Sequence, residues 1–113
     1  MKEETMNILK ALSRRFPSLQ PLEESIAVAA ALMRDCFLSG GTLYLCGNGG
    51  SAADCEHIAG ELLKSFKLSR PLPGKFREAL LSMGEDGRRV AEKTEGGLPV
   101  VSLCGHPAFA TAY

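Results

Sequence analysis

The sequence predicts an α/β fold in which two N-terminal helices precede a strand, a helix and a second, parallel strand. Three observations carry this. Apolar residues recur at helical spacing through the N-terminal third. Two short apolar runs, Thr42–Cys46 and Pro99–Leu103, have the composition of buried parallel strands and lead into Gly47 and Gly105. A glycine-rich turn, Gly47-Asn48-Gly49-Gly50, joins the first run directly to a third helical pattern. Parallel strands joined through a helix place both strand ends on one edge of the sheet, where ligands collect in open α/β folds.

Met6, Leu9, Leu12 and Phe16 define the first helix, which Pro17 interrupts. Pro21 stands where a second helix would begin, with Glu23 and Glu24 in its first turn facing the positive end of the helix dipole. Ile26, Ala29, Ala30, Met33 and Phe37 are expected to form its buried stripe, and Gly40-Gly41 to end it. After the first strand, the third helix is expected over Ser51–Phe66. Ser51 and Asp54 resemble a capping box there, with Cys55, Ile58, Ala59, Leu62 and Phe66 as the apolar face.

From Lys67 onward the character changes. Ser69-Arg-Pro-Leu-Pro-Gly74 is a linker, Phe76–Met83 can make a short amphipathic helix, and Glu85–Glu95 is nearly all polar, so an exposed, mobile excursion is expected. The organisation is therefore N-terminal helices over 1–40, strand, glycine loop and helix over 42–66, a charged Pro- and Gly-containing excursion over 67–98, and the second strand with the start of a next helix over 99–113.

Composition narrows the partners. Thirteen Lys+Arg balance thirteen Asp+Glu in 113 residues, so bulk charge selects neither nucleic acid nor an anionic membrane. The longest strongly apolar stretch, Ile26–Met33, falls far short of the roughly 20 residues a membrane-spanning helix needs. Met1-Lys2-Glu3-Glu4 is too polar for a secretory leader. Cys36, Cys46, Cys55 and Cys104 include no C-x-x-C pair, and a reducing, cytoplasmic protein without disulfides is expected. A two-stranded sheet has open edges and little core, so pairing with another chain is also expected.

The chemistry-bearing residues cluster around the glycine turn. Cys46-Gly47-Asn48-Gly49-Gly50-Ser51 leads a strand into a helix N-terminus, where backbone N–H groups and the dipole favour an anion such as a phosphate. There is no Gly-Lys-Ser/Thr, and the third glycine of a dinucleotide fingerprint is an alanine, which disfavours nucleoside triphosphates and dinucleotides. The plainer reading makes the glycines a tight turn and Ser51 an N-cap. His57 and Glu61, four apart, share a helix face opposite the apolar one. They can form half of a metal site or an acid/base pair beside a bound sugar; alternatively they are a solvated pair beside Lys64. His106 would follow the second strand onto the ligand edge or sit exposed in a loop. Lys64, Lys67, Arg70 and Lys75 can steer an anion or merely solvate a linker.

Leu45-Cys-Gly-Asn-Gly-Gly-Ser-Ala-Ala-Asp54, followed by His57-Ile-Ala-Gly-Glu-Leu62, resembles the sugar isomerase (SIS) domain family, specifically phosphoheptose isomerases. The two preceding helices and Leu98–Leu103 are similar to that family as well. The resemblance implies that the chain is the N-terminal half of a doubly wound parallel-sheet sandwich, tetrameric, with active sites between subunits. It implies conversion of sedoheptulose 7-phosphate to D-glycero-D-manno-heptose 7-phosphate, a phosphorylated-sugar ligand, and zinc. Asn48, Gly49, Gly50 and Ser51 match the family's substrate-contacting loop, His57 and Glu61 its zinc ligands, and Glu61 its proposed catalytic base. The chain departs from the pattern in ending before the Asn-Asp pair, the Ser/Thr-rich phosphate loop and the late Gln and His that complete the metal site. Ser65 stands where an arginine is common, and the excursion is longer than in simple members. The resemblance also admits a non-catalytic SIS module that binds a phosphosugar or a protein partner such as a replication initiator.

Overall fold

The computed structural model describes residues 3–105, and the chain divides into two compact units, Met1–Gly41 and Thr42–Tyr113. His106 and the expected start of a next helix lie outside the described residues.

In the first unit, α1 (Glu3–Arg15) carries Glu3 and Glu4 in its first turn and Arg14 and Arg15 in its last, each sign matched to the dipole. Leu9 and Ser13 are its buried residues, and the Ser13 hydroxyl donates back to the Leu9 carbonyl at 3.2 Å. A short 3₁₀ turn over Pro17–Leu22 absorbs both prolines, so α2 (Glu23–Leu38) begins after Pro21 rather than on it. The α2 stripe expected to be buried is covered only in part. Ile26, Ala30 and Phe37 are half-buried, whereas Ala29 and Met33 are exposed. The reason is geometric: α1 is the one long helix beside α2 in this unit, and a single neighbour covers less than a full stripe. Gly40, at φ 78°, lets the chain leave α2, and the Gly41 N–H closes on the Cys36 carbonyl at 2.8 Å.

In the second unit, β1 (Leu43–Leu45) and β2 (Val100–Ser102) pair in parallel, with Leu43 opposite Val100, Tyr44 opposite Val101 and Leu45 opposite Ser102. Both lie inside the predicted runs and make the α/β arrangement. Val100 is buried on the side of α3 (Gly50–Leu63), which packs on β2. The Tyr44–Val101 pair points the other way and is exposed, so each strand is buried on one face only and not, as expected, on both.

Helix α3 buries Cys55 and Ala59. It stops at Leu63, short of the predicted Phe66, because Lys64 turns extended and the Leu98 N–H takes the Leu62 carbonyl at 2.9 Å. Phe66 is therefore outside the helix and exposed, and Ile58 is exposed at the margin of the apolar face. The polar excursion forms two helices, α4 (Gly74–Leu81) and α5 (Gly84–Lys93), which pack together through buried Gly87 and Ala91. No described helix is long and apolar enough to cross a membrane.

Candidate functional site

Gly47, two residues past β1, lies against the start of α3, so tightly that a Cβ there would lie 2.7 to 2.9 Å from Cβ, C and O of Ser51. Only a residue without a side chain allows this approach. The helix is entered through Gly49, at φ 57° and ψ −126°, with no side-chain cap. Ser51 is thus not the N-cap expected from the sequence, nor half of a capping box with Asp54. The glycine's positive φ starts the helix before the serine is reached, and Ser51 sits exposed in the first turn. Hydrogen bonds from Ser51 N–H to the Asn48 carbonyl and from Ala52 N–H to the Gly49 carbonyl, both 3.2 Å, hold the loop. Asn48, Gly49, Gly50 and Ser51 are all exposed at the edge where the parallel strands end.

Further along α3, His57 Nε2 lies 3.2 Å from Glu61 Oε1. The two side chains border an open depression of about 350 Å³ with Glu56 and Lys64. At 1.5 Å of rise per residue the pair begins about 10 Å along the axis from the loop. One helix therefore carries the exposed glycine loop at its N-terminus and the Glu61 carboxylate further along. The Glu61 side chain is about one-third exposed, whereas His57 is largely open. Among the described residues no group of three or more His, Cys, Asp and Glu is placed to hold a metal ion. His57 and Glu61 fit a zinc ion as a two-donor half-set, since a zinc centre takes four ligands.

Sequence reasoning missed the groups that fix this helix. The Ser102 hydroxyl donates to Glu56 Oε1 at 2.6 Å, tying α3 to the end of β2, and the Cys104 N–H donates in turn to Ser102 Oγ at 3.3 Å. Arg70, read from sequence as an anion-steering or linker cation, is turned inward. Its guanidinium donates to the carbonyls of Leu62 (2.7 Å), Glu61 (3.2 Å) and Lys64 at the C-terminus of α3, and to Gly96 at 2.9 Å. A cation on the last carbonyls of a helix completes hydrogen bonds the helix cannot make itself. The only sequence signal would have been an arginine six or more residues past the last helical turn, which has no fixed spacing to recognise.

Glu95 complements it from the other strand of the same crossing. The Ser65 hydroxyl, the Ser69 hydroxyl, the Ser65 N–H and the charge of Arg70 hold its carboxyl below the ordinary value of 4.5. Two of these contacts are direct, from Ser65 N–H at 2.8 Å and Ser69 Oγ at 2.9 Å. A carboxylate whose folded pKa is depressed stabilises the fold above its unfolded pKa and loses that contribution as pH falls through the folded value. Urea midpoints are therefore expected to drop as the pH is taken below 4.5, and to drop less in Glu95→Gln. Equal slopes for the two proteins would remove Glu95 from this role.

A family model described as SIS domain matches residues 7–96. Phosphoheptose isomerase from Shewanella halifaxensis (strain HAW-EB4) is 42% identical over 62 residues, covering 55% of this chain and 32% of that protein. Phosphoheptose isomerases from Shewanella sp. (strain ANA-3) and Shewanella pealeana (strain ATCC 700345 / ANG-SQ1) are 40% identical over 62 residues, with the same coverage. The match thus spans about a third of the length of these relatives. No solved structure matches the chain. The family match runs through both N-terminal helices, the glycine loop and the whole of α3, and on it the chain belongs to the SIS domain family.

Proposed function

We propose that this chain supplies the loop and proton-transfer half of a sugar-phosphate aldose/ketose isomerase of the phosphoheptose type, acting on sedoheptulose 7-phosphate to give D-glycero-D-manno-heptose 7-phosphate. One observation carries the reading: the 3.2 Å His57–Glu61 pair stands on the same helix whose N-terminus is the glycine loop. In this reading Asn48, Gly49, Gly50 and Ser51 orient the phosphorylated sugar by backbone and short polar contacts that only a glycine-rich turn leaves accessible. Glu61 removes a proton from the carbon beside the carbonyl and returns it to the neighbouring carbon through an enediol, a general-base task for which a half-buried carboxylate is suited. His57 holds the Glu61 carboxylate in place. When bound by His57, Glu61 and ligands from outside the chain, zinc would supply Lewis-acid polarisation of the sugar oxygens.

The identity to phosphoheptose isomerases supports the substrate class. A cytoplasmic tetramer with sites shared between subunits is part of the same proposal.

Positioning supplies much of an isomerase's rate, and a chain spanning a third of its relatives holds one side of the arrangement. The 113-residue chain is accordingly expected to show no turnover of sedoheptulose 7-phosphate, while a chain extended to the relatives' full length converts it. Both can be followed by a coupled assay of the aldose product. Binding without turnover in the extended chain would favour a non-catalytic SIS module instead.

A further inference from the structure

Helix α3 is tied to β2 and its approach at two places. At one end the Leu98 N–H, just ahead of the strand, donates to the Leu62 carbonyl at 2.9 Å. At the other the Ser102 hydroxyl, on the last residue of the strand, donates to Glu56 Oε1 at 2.6 Å. His57 and Glu61 lie between these two points on the helix. The buried face of α3 is Cys55 and Ala59, side chains too short to lock deeply into a neighbouring surface, so packing alone sets the rotation of the helix loosely. The hydrogen bonds must do the rest. Further contacts carry the Ser102 bond on to the glycine loop: Ser102 Oγ accepts from the Cys104 N–H at 3.3 Å, and the Cys104 thiol donates to the Gly47 carbonyl at 3.4 Å. The serine oxygen is thereby held from both sides, and the bond it gives has the short length of a charge-assisted hydroxyl–carboxylate contact. Glu56 stands next to His57 in sequence and borders the same depression as His57 and Glu61.

We propose that Ser102 is a positioning residue for the site on α3, a role that rests on the isomerase reading of His57 and Glu61. Its hydroxyl, held between the Cys104 N–H and the Glu56 carboxylate, fixes the rotation of α3 against the strand end, and with it the place of the Glu61 carboxylate relative to the strand edge and the glycine loop. Ser102 touches no reacting atom in this scheme and acts only through Glu56. Without the hydroxyl, the Leu98 anchor remains and the helix can turn about it, carrying His57 and Glu61 together. Their mutual 3.2 Å contact is then kept while their aim is lost. Because a misplacement of about 1 Å can cost on the order of 10²-fold in rate, a small rotation is enough to matter.

The test has two arms. In the 113-residue chain, amide NMR of Ser102→Ala is expected to shift the signals of His57 and Glu61 as well as those of Glu56 and Cys104, and Ser102→Thr, which keeps the hydroxyl, to return them to the wild-type positions. In a Glu56→Ala background the Ser102→Ala change should have no further effect at His57 and Glu61, since the bond is already gone. In a chain extended to the relatives' full length, Ser102→Ala should lower kcat by about 10- to 100-fold with KM changed less than about threefold, and Ser102→Thr should recover most of the loss. If Ser102→Ala does not fold, Glu56→Ala alters an exposed side chain and breaks the same bond from the other side. Shifts confined to residues 56 and 102–104, wild-type kcat in Ser102→Ala, or an equal loss in Ser102→Thr would each overturn the proposal. An extended wild-type chain without turnover would sink the isomerase reading alone, and the NMR arm would then decide whether Ser102 holds the His57–Glu61 pair.

Discussion

Glu61→Gln in a chain extended to the relatives' full length is expected to lower sugar-phosphate isomerisation by about 10²- to 10⁴-fold, the range a positioned general base contributes. Glutamine is nearly isosteric. Its amide can still meet His57 across the 3.2 Å contact and still line the depression, so packing is preserved. What it cannot do is accept a proton. The loss should therefore fall on kcat, with KM little changed, and exchange of the substrate's transferable hydrogen with deuterated water should disappear in parallel. Steady-state kinetics and NMR of the substrate check both. Wild-type turnover in this variant would take Glu61 out of the proton transfer and would leave the family membership untouched.

Gly87→Ala is expected to destabilise the second unit by about 2–4 kcal/mol, at the upper end of single substitutions. Helix propensity argues the opposite sign, since alanine inside a helix gains about 1 kcal/mol over glycine. Contact decides. A Cβ on Gly87 would collide with the carbonyl oxygen of Leu80 and lie 2.9 Å from C and from the Met83 Cβ, and the oxygen and carbon are backbone that cannot rotate away. Relief requires α4 and α5 to separate, which exposes Ala91 as well. Gly60→Ala is the control: it sits inside α3 with nothing within 4 Å of its Cβ, so there propensity is unopposed and stability should rise. Urea denaturation followed by far-UV circular dichroism measures both, and a Gly87→Ala protein as stable as wild type would refute the packing argument.

Much of the framework was legible in the residues. The strands were visible because Thr42–Cys46 and Pro99–Leu103 are short, apolar and punctuated by glycine, and they pair in parallel as read. The face shared by His57 and Glu61 follows from a spacing of four, which survives any tertiary context inside a helix. Three features were hidden. Periodicity carried α3 on to Phe66, but its end is decided by Leu98 and Arg70, distant residues whose hydrogen bonds compete for its last carbonyls. Ser51 looks like a cap by composition, yet a glycine with positive φ does that work without any side chain. Of the α4–α5 pair, the first helix was read at Phe76–Met83, but α5 was obscured because its seam is built from Gly87 and Ala91, residues too small to register as a hydrophobic pattern. The roles of Asn48 through Ser51, His57 and Glu61 in binding and chemistry rest on the family resemblance and await the kinetics above.

The crossing of residues 70–71 with 95–96 has a consequence for how this architecture tolerates change. Gly96 N–H donates to the Arg70 carbonyl at 2.8 Å and Pro71 bridges Glu95, so the segment carrying α4 and α5 leaves and re-enters the unit at neighbouring points. A segment whose ends already touch can be lengthened, shortened or exchanged without moving either anchor. The closure entropy of such a loop grows only with the logarithm of its length, about 0.6 kcal/mol per doubling. The Arg70–Glu95 crossing is thus a socket, a place where a lineage can graft new surface while Glu61 keeps its position on α3.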